Sequence, residues 1–134
     1  MNRWQDWWDQ GRRDLRHARH ALDDQDYEWS AFAAHQAAEK ALKALIMERS
    51  GEPWGHSLTA LFEALPESIR ADRPTTECAN RLDKHYIPAR YPNGFPAGYP
   101  GKLYTEGEAL GAIDDAQRIL EYCRSHLPGP PAAD

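Results

Sequence analysis

The spacing of apolar residues along the chain predicts five helices and no strand. Over residues 3–23 and 27–49, apolar side chains recur every three or four positions, as they do on the buried side of a helix. A shorter stripe covers 57–65, and two further stripes cover 75–86 and 105–127. The pattern therefore predicts an all-α fold, an antiparallel up-and-down helical bundle of four long helices plus one short helix.

Capping residues mark the predicted helix ends. Asp26 and Ser57 precede apolar stripes and are predicted N-caps. Thr105 and Glu108 have the T-x-x-E spacing of a capping box, and Gly51 follows the second stripe as a typical C-terminal stop. These signals separate the stripes into distinct helices joined by short connections.

Size and charge narrow the possible classes of protein. The 134-residue chain predicts one domain over 1–127, and the composition of 128–134 predicts a disordered tail. A net charge of −5 excludes a chain-wide basic field of the kind that attracts nucleic acid, although a local basic patch remains compatible with it. The absence of a signal-peptide core or a long apolar run predicts a cytoplasmic protein without membrane contact. The spacing of His and Cys predicts no metal site and no cofactor.

The connection 88–104 is unusually long and unusual in composition. It contains four prolines spaced by four residues, at positions 88, 92, 96 and 100, and four aromatic residues, Tyr91, Phe95, Tyr99 and Tyr104. Long connections in compact domains are usually functional or disordered, and the aromatic residues argue against disorder. The proline spacing predicts an extended, rigid strap. Either the strap closes the end of the core, or it presents Arg90 and Tyr91 to a cleft or a partner.

Three segments carry a family resemblance. Residues 27–45, 56–58 and 86–92 read YEWSAFAAHQAAEKALKAL, HSL and YIPARYP. In this order and spacing they resemble the HEPN domain, named for higher-eukaryote and prokaryote nucleotide binding, in the subfamily with an R-Y-P motif. The resemblance extends over about residues 4–127. It implies a helical bundle, often a homodimer, that works near nucleotides or RNA.

The resemblance also implies two kinds of activity. Some members are metal-independent ribonucleases, often toxins of toxin–antitoxin systems, with an arginine followed by four to six residues and a histidine. Others are non-catalytic partners of a separately encoded minimal nucleotidyltransferase. Here no histidine follows Arg90 until His126, and His85 precedes Arg90 in the reverse order. We therefore expect a non-catalytic module. A ribonuclease that uses His85 and Arg90, and an interaction domain without a ligand, remain alternatives.

Polar residues of the family segments are the candidate ligand-binding groups. On the second predicted helix a polar stripe runs beside the buried alanines, and it is interpreted either as a solvated face or as a cationic wall opposite the Arg90 loop. In the second case, lysine and arginine would neutralise phosphate groups while an aromatic ring stacks on a base. The predicted ligand-binding residues are Gln36, Lys40, Lys43, His56, Arg90 and Tyr91.

Two tryptophans lie off the apolar stripes. Trp7 and Trp29 fall outside the sides of their helices that are predicted to be buried. Tryptophans on a protein surface commonly mark an interface. This placement predicts a homodimer in which the first or second helix forms a two-fold contact.

Overall fold

Over residues 1–129, a computed structural model of the protein contains six helices and no strand. Four helices are long, which confirms the all-α prediction. The helices are α1 (Trp4–Asp23), α2 (Tyr27–Glu48), α3 (Leu58–Glu63), α4 (Arg73–Asp83), α5 (Pro100–Leu103) and α6 (Glu106–His126). Of the predicted disordered tail 128–134, residues 130–134 lie outside the described residues.

Helix α2 forms the centre of the bundle, with α1 and α6 packed along it. Its buried surface consists largely of alanines, so neighbouring helices approach closely. A Cβ atom placed on Gly11 of α1 would lie 3.0 Å from the Ala37 carbonyl oxygen and 3.3 Å from the Ala41 amide nitrogen. The buried Ser30 hydroxyl donates a hydrogen bond of 2.7 Å to the Ala18 carbonyl, which further joins α2 to α1.

Two of the three predicted caps form as expected. The Ser57 hydroxyl oxygen accepts a hydrogen bond from the Ala60 amide at the start of α3. Thr105 and Glu108 form the complete capping box at the start of α6. Asp26 occupies the predicted N-cap position of α2, but its side chain makes no capping hydrogen bond.

Helix α4 begins and ends earlier than predicted. Asp72 caps it by accepting a hydrogen bond from the Thr75 amide, and Pro74 lies in the first turn, where its missing N–H costs nothing. The helix ends at Asp83, and a series of turns continues to Arg90. These turns place Arg90 beside Phe32 of α2.

The segment 88–104 is not an extended strap. Residues Pro92–Gly94 form a 3-10 turn, and α5 follows at Pro100–Leu103. Proline begins both elements because its fixed φ suits the first helical residue as well as it suits extended chain. The segment does close part of the core, because Tyr104 is buried and the Phe95 ring packs edge-on against it at 6.3 Å.

Candidate ligand-binding site around Arg90

One side of α2 carries polar side chains into the interior. His35, Glu39 and Lys43 follow at intervals of four and therefore lie on the same side of the helix, with Gln36 next to them. His35 is fully buried, and Glu39 is only 5% exposed. Buried polar groups are costly without hydrogen-bond partners, and the segments after α2 supply these partners.

Asp83, the last residue of α4, joins His35 to the start of α3. Its Oδ1 lies 3.2 Å from His35 Nε2 and accepts a hydrogen bond of 2.8 Å from the Leu58 amide. Its Oδ2 accepts hydrogen bonds from the Thr59 amide and hydroxyl at 3.1 Å and 3.0 Å. Burial raises the pKa of Asp83, but the hydrogen bonds lower it by a larger amount. The pKa of Asp83 therefore lies below its ordinary value. The carboxylate thus fixes α3 to α4 and holds the His35 ring.

A second carboxylate, the buried Glu39, contacts a histidine and a lysine side chain. His56 Nδ1 lies 3.1 Å from both carboxylate oxygens of Glu39, and Lys43 Nζ lies 3.1 Å from Oε2. The Lys43 side chain is only 12% exposed, and its ammonium lies 5.7 Å from the centre of the Trp7 ring. The His56 side chain is 55% exposed. Glu39 therefore compensates the charge of Lys43 and orients His56 at the surface.

The Tyr86 ring lies between these groups and Arg90. The His56 ring stacks on it with 4.8 Å between ring centres, and the His35 ring lies 5.1 Å away. The Arg90 Cζ atom lies 4.5 Å from the centre of the same ring. Tyr86 therefore fixes the position of His56 relative to Arg90.

Arg90 is held by aromatic rings and by the main chain. Its Cζ atom lies 4.6 Å from the centre of the Phe32 ring and 5.0 Å from that of Tyr91, in addition to the Tyr86 contact. Its Nε donates a hydrogen bond of 2.9 Å to the Tyr86 carbonyl oxygen. Cation–π contacts of this kind orient a guanidinium without neutralising its charge. Within residues 1–129 no carboxylate pairs with Arg90, and its terminal nitrogens have no protein acceptor.

Two of the predicted site residues lie elsewhere. Lys40 forms an ion pair with Asp14 of α1. His85 Nδ1 forms a hydrogen bond of 2.7 Å with the Tyr104 hydroxyl, and burial lowers the pKa of His85 below its ordinary value. The remaining predicted residues all lie near Tyr86 or Glu39, with Gln36 joined through a 3.2 Å contact between its Oε1 and His35 Nδ1. These residues are Gln36, Lys43, His56, Arg90 and Tyr91.

Sequence reasoning missed three residues that organise the site. Glu39 and Tyr86 belong to the family segments, and the i,i+4 spacing of Glu39 and Lys43 was a signal for the ion pair that they form. Asp83 gave no signal, because its importance depends on the contact between α3 and α4. That contact is not encoded in any local spacing.

Exposed apolar side chains surround Arg90. Trp29 is 48% exposed, and its ring packs edge-on against Phe32 at 6.2 Å. Tyr91 is 47% exposed, and Ile87 is also exposed. The Arg90 guanidinium is therefore a single charged group within a largely apolar part of the surface.

The described part of the chain contains no cluster of three or more His, Cys, Asp or Glu side chains arranged to bind a metal ion. None of the helices within these residues is long and apolar enough to cross a membrane.

Comparison with known proteins identifies the family. The family model described as the HEPN domain matches residues 4–126. The structure is similar to that of TT1696 from Thermus thermophilus, with a TM-score of 0.92 and 47% identity, covering 95% of this chain and 100% of that one. It is also similar to the archaeal HEPN homologue ST0689, with a TM-score of 0.79 and 38% identity, covering 93% of this chain and 98% of that one.

A HEPN domain protein from Thermotoga maritima is more distant, with a TM-score of 0.73 and 29% identity over 90% of this chain and 95% of its own. No curated protein matches the chain significantly. The family model nevertheless covers almost all of the described residues, and the solved structures agree with it over nearly their full lengths. The chain therefore belongs to the HEPN domain family.

Proposed function

We propose that this HEPN domain binds a nucleotide or a short nucleic-acid segment through a phosphate group held by Arg90, without cleaving it. The observation that carries the proposal is the uncompensated guanidinium of Arg90. Lys40 and Lys43 are paired with carboxylates, whereas Arg90 is fixed by three rings and by one main-chain bond. An oriented guanidinium with free N–H groups matches the geometry of phosphate oxygens.

Neighbouring side chains suit the other parts of a nucleotide. Tyr91 lies beside the guanidinium and exposes nearly half of its surface, so a base can stack on its ring. His56 is held through Nδ1 by Glu39, which leaves Nε2 available to a phosphate or ribose oxygen. The site thus combines one fixed cation, one aromatic surface and one orientable imidazole.

The position of His85 supports binding rather than cleavage. In the alternative of a metal-independent ribonuclease, His85 and Arg90 would act on the same phosphate. His85 is instead hydrogen-bonded to Tyr104, and none of its ring contacts or hydrogen bonds is with a residue that contacts Arg90. We expect RNA incubated with the protein in the absence of metal to remain intact.

Protein partners are a further part of the proposal. The exposed side chains of Trp29, Ile87 and Tyr91 support a protein contact beside the site, and a homodimer is the first candidate. A minimal nucleotidyltransferase is the second, on the basis of the family resemblance. Sedimentation of wild type and Trp29→Ala tests the first, since a monomeric wild type at high micromolar concentration contradicts it.

Calorimetric titration with AMP, ATP and a short single-stranded RNA tests the ligand. Arg90→Met keeps an unbranched side chain against Phe32 and Tyr86 but removes the charge. We expect it to weaken binding at least about tenfold, because hydrogen bonds to charged groups are strong. Tyr91→Ala is expected to weaken it by about the same factor through lost stacking.

Lys40→Met is the matched control, since Lys40 is paired with Asp14 away from the ring cluster. It is expected to bind like wild type. Absence of binding by wild type at millimolar ligand, or equal affinity in wild type and Arg90→Met, contradicts the proposal. Circular dichroism spectra establish that each variant is folded.

A further inference from the structure

A cavity of about 570 Å³ lies between α4, α6 and the segment 88–104. Small-molecule sites commonly have volumes of about 300–1,000 Å³. The cavity shares no lining residue with the ring cluster around Arg90. It is therefore a second concave site, independent of the proposed nucleotide site.

One wall of the cavity is aromatic and apolar. Tyr104 is buried, and the Phe95 ring packs edge-on against it, with Pro88 and Ala112 nearby in the lining. Tyr104 is fixed by its hydrogen bond to His85, and burial raises the pKa of its hydroxyl, so the phenol is neutral. This wall offers a surface for an apolar side chain.

Two charged side chains of the lining have neither an ion pair nor a hydrogen bond among the described residues. Arg81 donates two hydrogen bonds, of 2.8 Å and 2.9 Å, to the Asp115 carboxylate. The Glu108 carboxylate accepts hydrogen bonds from Thr105 in the capping box of α6. Lys84, which directly follows α4, and Asp114 of α6 also line the cavity. Both are exposed, and neither side chain forms an ion pair or a hydrogen bond within residues 1–129. The cavity thus presents one unpaired ammonium, just after the end of α4, and one unpaired carboxylate on α6.

An exposed glycine near the start of α6 leaves open space at the cavity. Gly111 lines it, and a Cβ atom added there would have no neighbour within 4 Å. No neighbouring atom therefore requires a glycine at this position, although alanine is more favourable than glycine inside a helix. A large side chain at this position would enter the cavity.

We propose that this cavity binds a free α-amino acid with an apolar side chain. Its carboxylate pairs with Lys84, its ammonium pairs with Asp114, and its side chain lies against Phe95 and Tyr104. A zwitterion carries both charges that are needed to pair with Lys84 and with Asp114. The proposal gives the segment 93–104 a function, because this segment supplies the aromatic wall.

Calorimetry or ligand-observed NMR with L-phenylalanine and L-leucine tests the site. From about 0.3 kcal/mol for each heavy atom, phenylalanine should bind with a Kd of about 2 mM. Phenylalaninamide lacks the carboxylate and N-acetylphenylalanine lacks the ammonium, so each should bind about tenfold more weakly. If neither amino acid binds wild type at about 20 mM, the proposal is wrong.

Variants assign the two charges separately. In Lys84→Gln, phenylalanine should bind no better than phenylalaninamide. In Asp114→Asn, phenylalanine should bind no better than N-acetylphenylalanine. If either variant keeps the full wild-type preference, the corresponding contact is absent and the zwitterion assignment is overturned.

A cavity-filling variant tests the location. Gly111→Leu should abolish binding, whereas Gly107→Leu, four residues earlier on the same helix and outside the lining, should not. Arg90→Met should bind the amino acid like wild type, because Arg90 belongs to the other site. Binding that survives in Gly111→Leu, or that is lost in Arg90→Met, overturns the assignment to this cavity.

Discussion

Gly11 and Gly111 are both helical glycines, but their surroundings differ. A Cβ atom on Gly11 would lie 3.0 Å from the Ala37 carbonyl oxygen, in the contact between α1 and α2, whereas a Cβ atom on Gly111 meets nothing within 4 Å. We expect Gly11→Ala to lower the free energy of unfolding by about 1–3 kcal/mol, because the helices must separate. Gly111→Ala should raise it by up to about 1 kcal/mol through helix propensity. Urea denaturation measures both, and a Gly11→Ala variant as stable as wild type contradicts the close approach.

Single residues also show where sequence reasoning about the site ends. Arg90 and Tyr91 could be selected because they belong to a family segment, and they do lie together. Lys40 and Lys43 are equivalent in the sequence, but Asp14 of α1 and Glu39 of α2 neutralise them in different places. The carboxylates that pair with these cations are determined by helix packing. The sequence alone therefore could not show that Arg90 is unpaired while the two lysines are paired.

Among the elements, α3 depends on a residue outside itself. Its first amides, Leu58 and Thr59, donate to the Asp83 carboxylate of α4, which also contacts the buried His35. We expect Asp83→Asn to lower the free energy of unfolding by about 2–3 kcal/mol. The neutral amide accepts hydrogen bonds more weakly than the carboxylate, and its NH2 group faces N–H donors. Chemical denaturation with Asp72→Asn as the control tests this, since Asp72 is exposed, caps its own helix and contacts α6 only through a 3.7 Å ion pair with Arg118. An equal effect of the two substitutions contradicts the linking role of Asp83.

The conformation of the segment 88–104 differs from the predicted strap for a physical reason. Proline at every fourth position favours extended chain, but φ near −65° is common to extended chain and to the first turn of a helix. Pro92 and Pro100 begin short helical elements, and a Cβ on Gly94 would lie 3.0 Å from Pro88 Cα, so the chain folds back on itself. The aromatic residues are the better guide, since Tyr104 and Phe95 do pack against the core.

For the whole molecule, the four long helices and the fold class could be predicted from the sequence. The spacing of apolar residues within each segment defines a helix, and the apolar sides of several helices can be buried only against one another. The stripe of Leu15 and Ala18 on α1 is buried as expected, and so is that of Leu42 and Leu45 on α2. The sequence did not predict the polar interior around His35, since the spacing of a histidine on a helix does not decide whether its side chain is buried or exposed. The carboxylate of Asp83 that holds this histidine comes from a separate helix.

The stability of the whole molecule should depend on pH through His85. Burial lowers its pKa in the folded protein from the ordinary 6.5, with Lys84 and His35 also lowering it and with Glu108 and Asp115 opposing. As the pH falls below 6.5, the unfolded chain therefore takes up a proton at this position before the folded chain does. His85 contributes fully to stability above pH 6.5, and this contribution is lost toward the lower folded pKa.

We therefore expect the free energy of unfolding of wild type to fall between about pH 7 and pH 5, and to fall less in His85→Gln. Glutamine retains a side chain that can hydrogen-bond to the Tyr104 hydroxyl, so the comparison isolates the titration from the loss of that bond. Urea denaturation at several pH values measures the difference in slope. Equal slopes would mean that His85 takes up its proton as readily in the folded protein as in the unfolded chain, and that the wall it forms with Tyr104 is open to water.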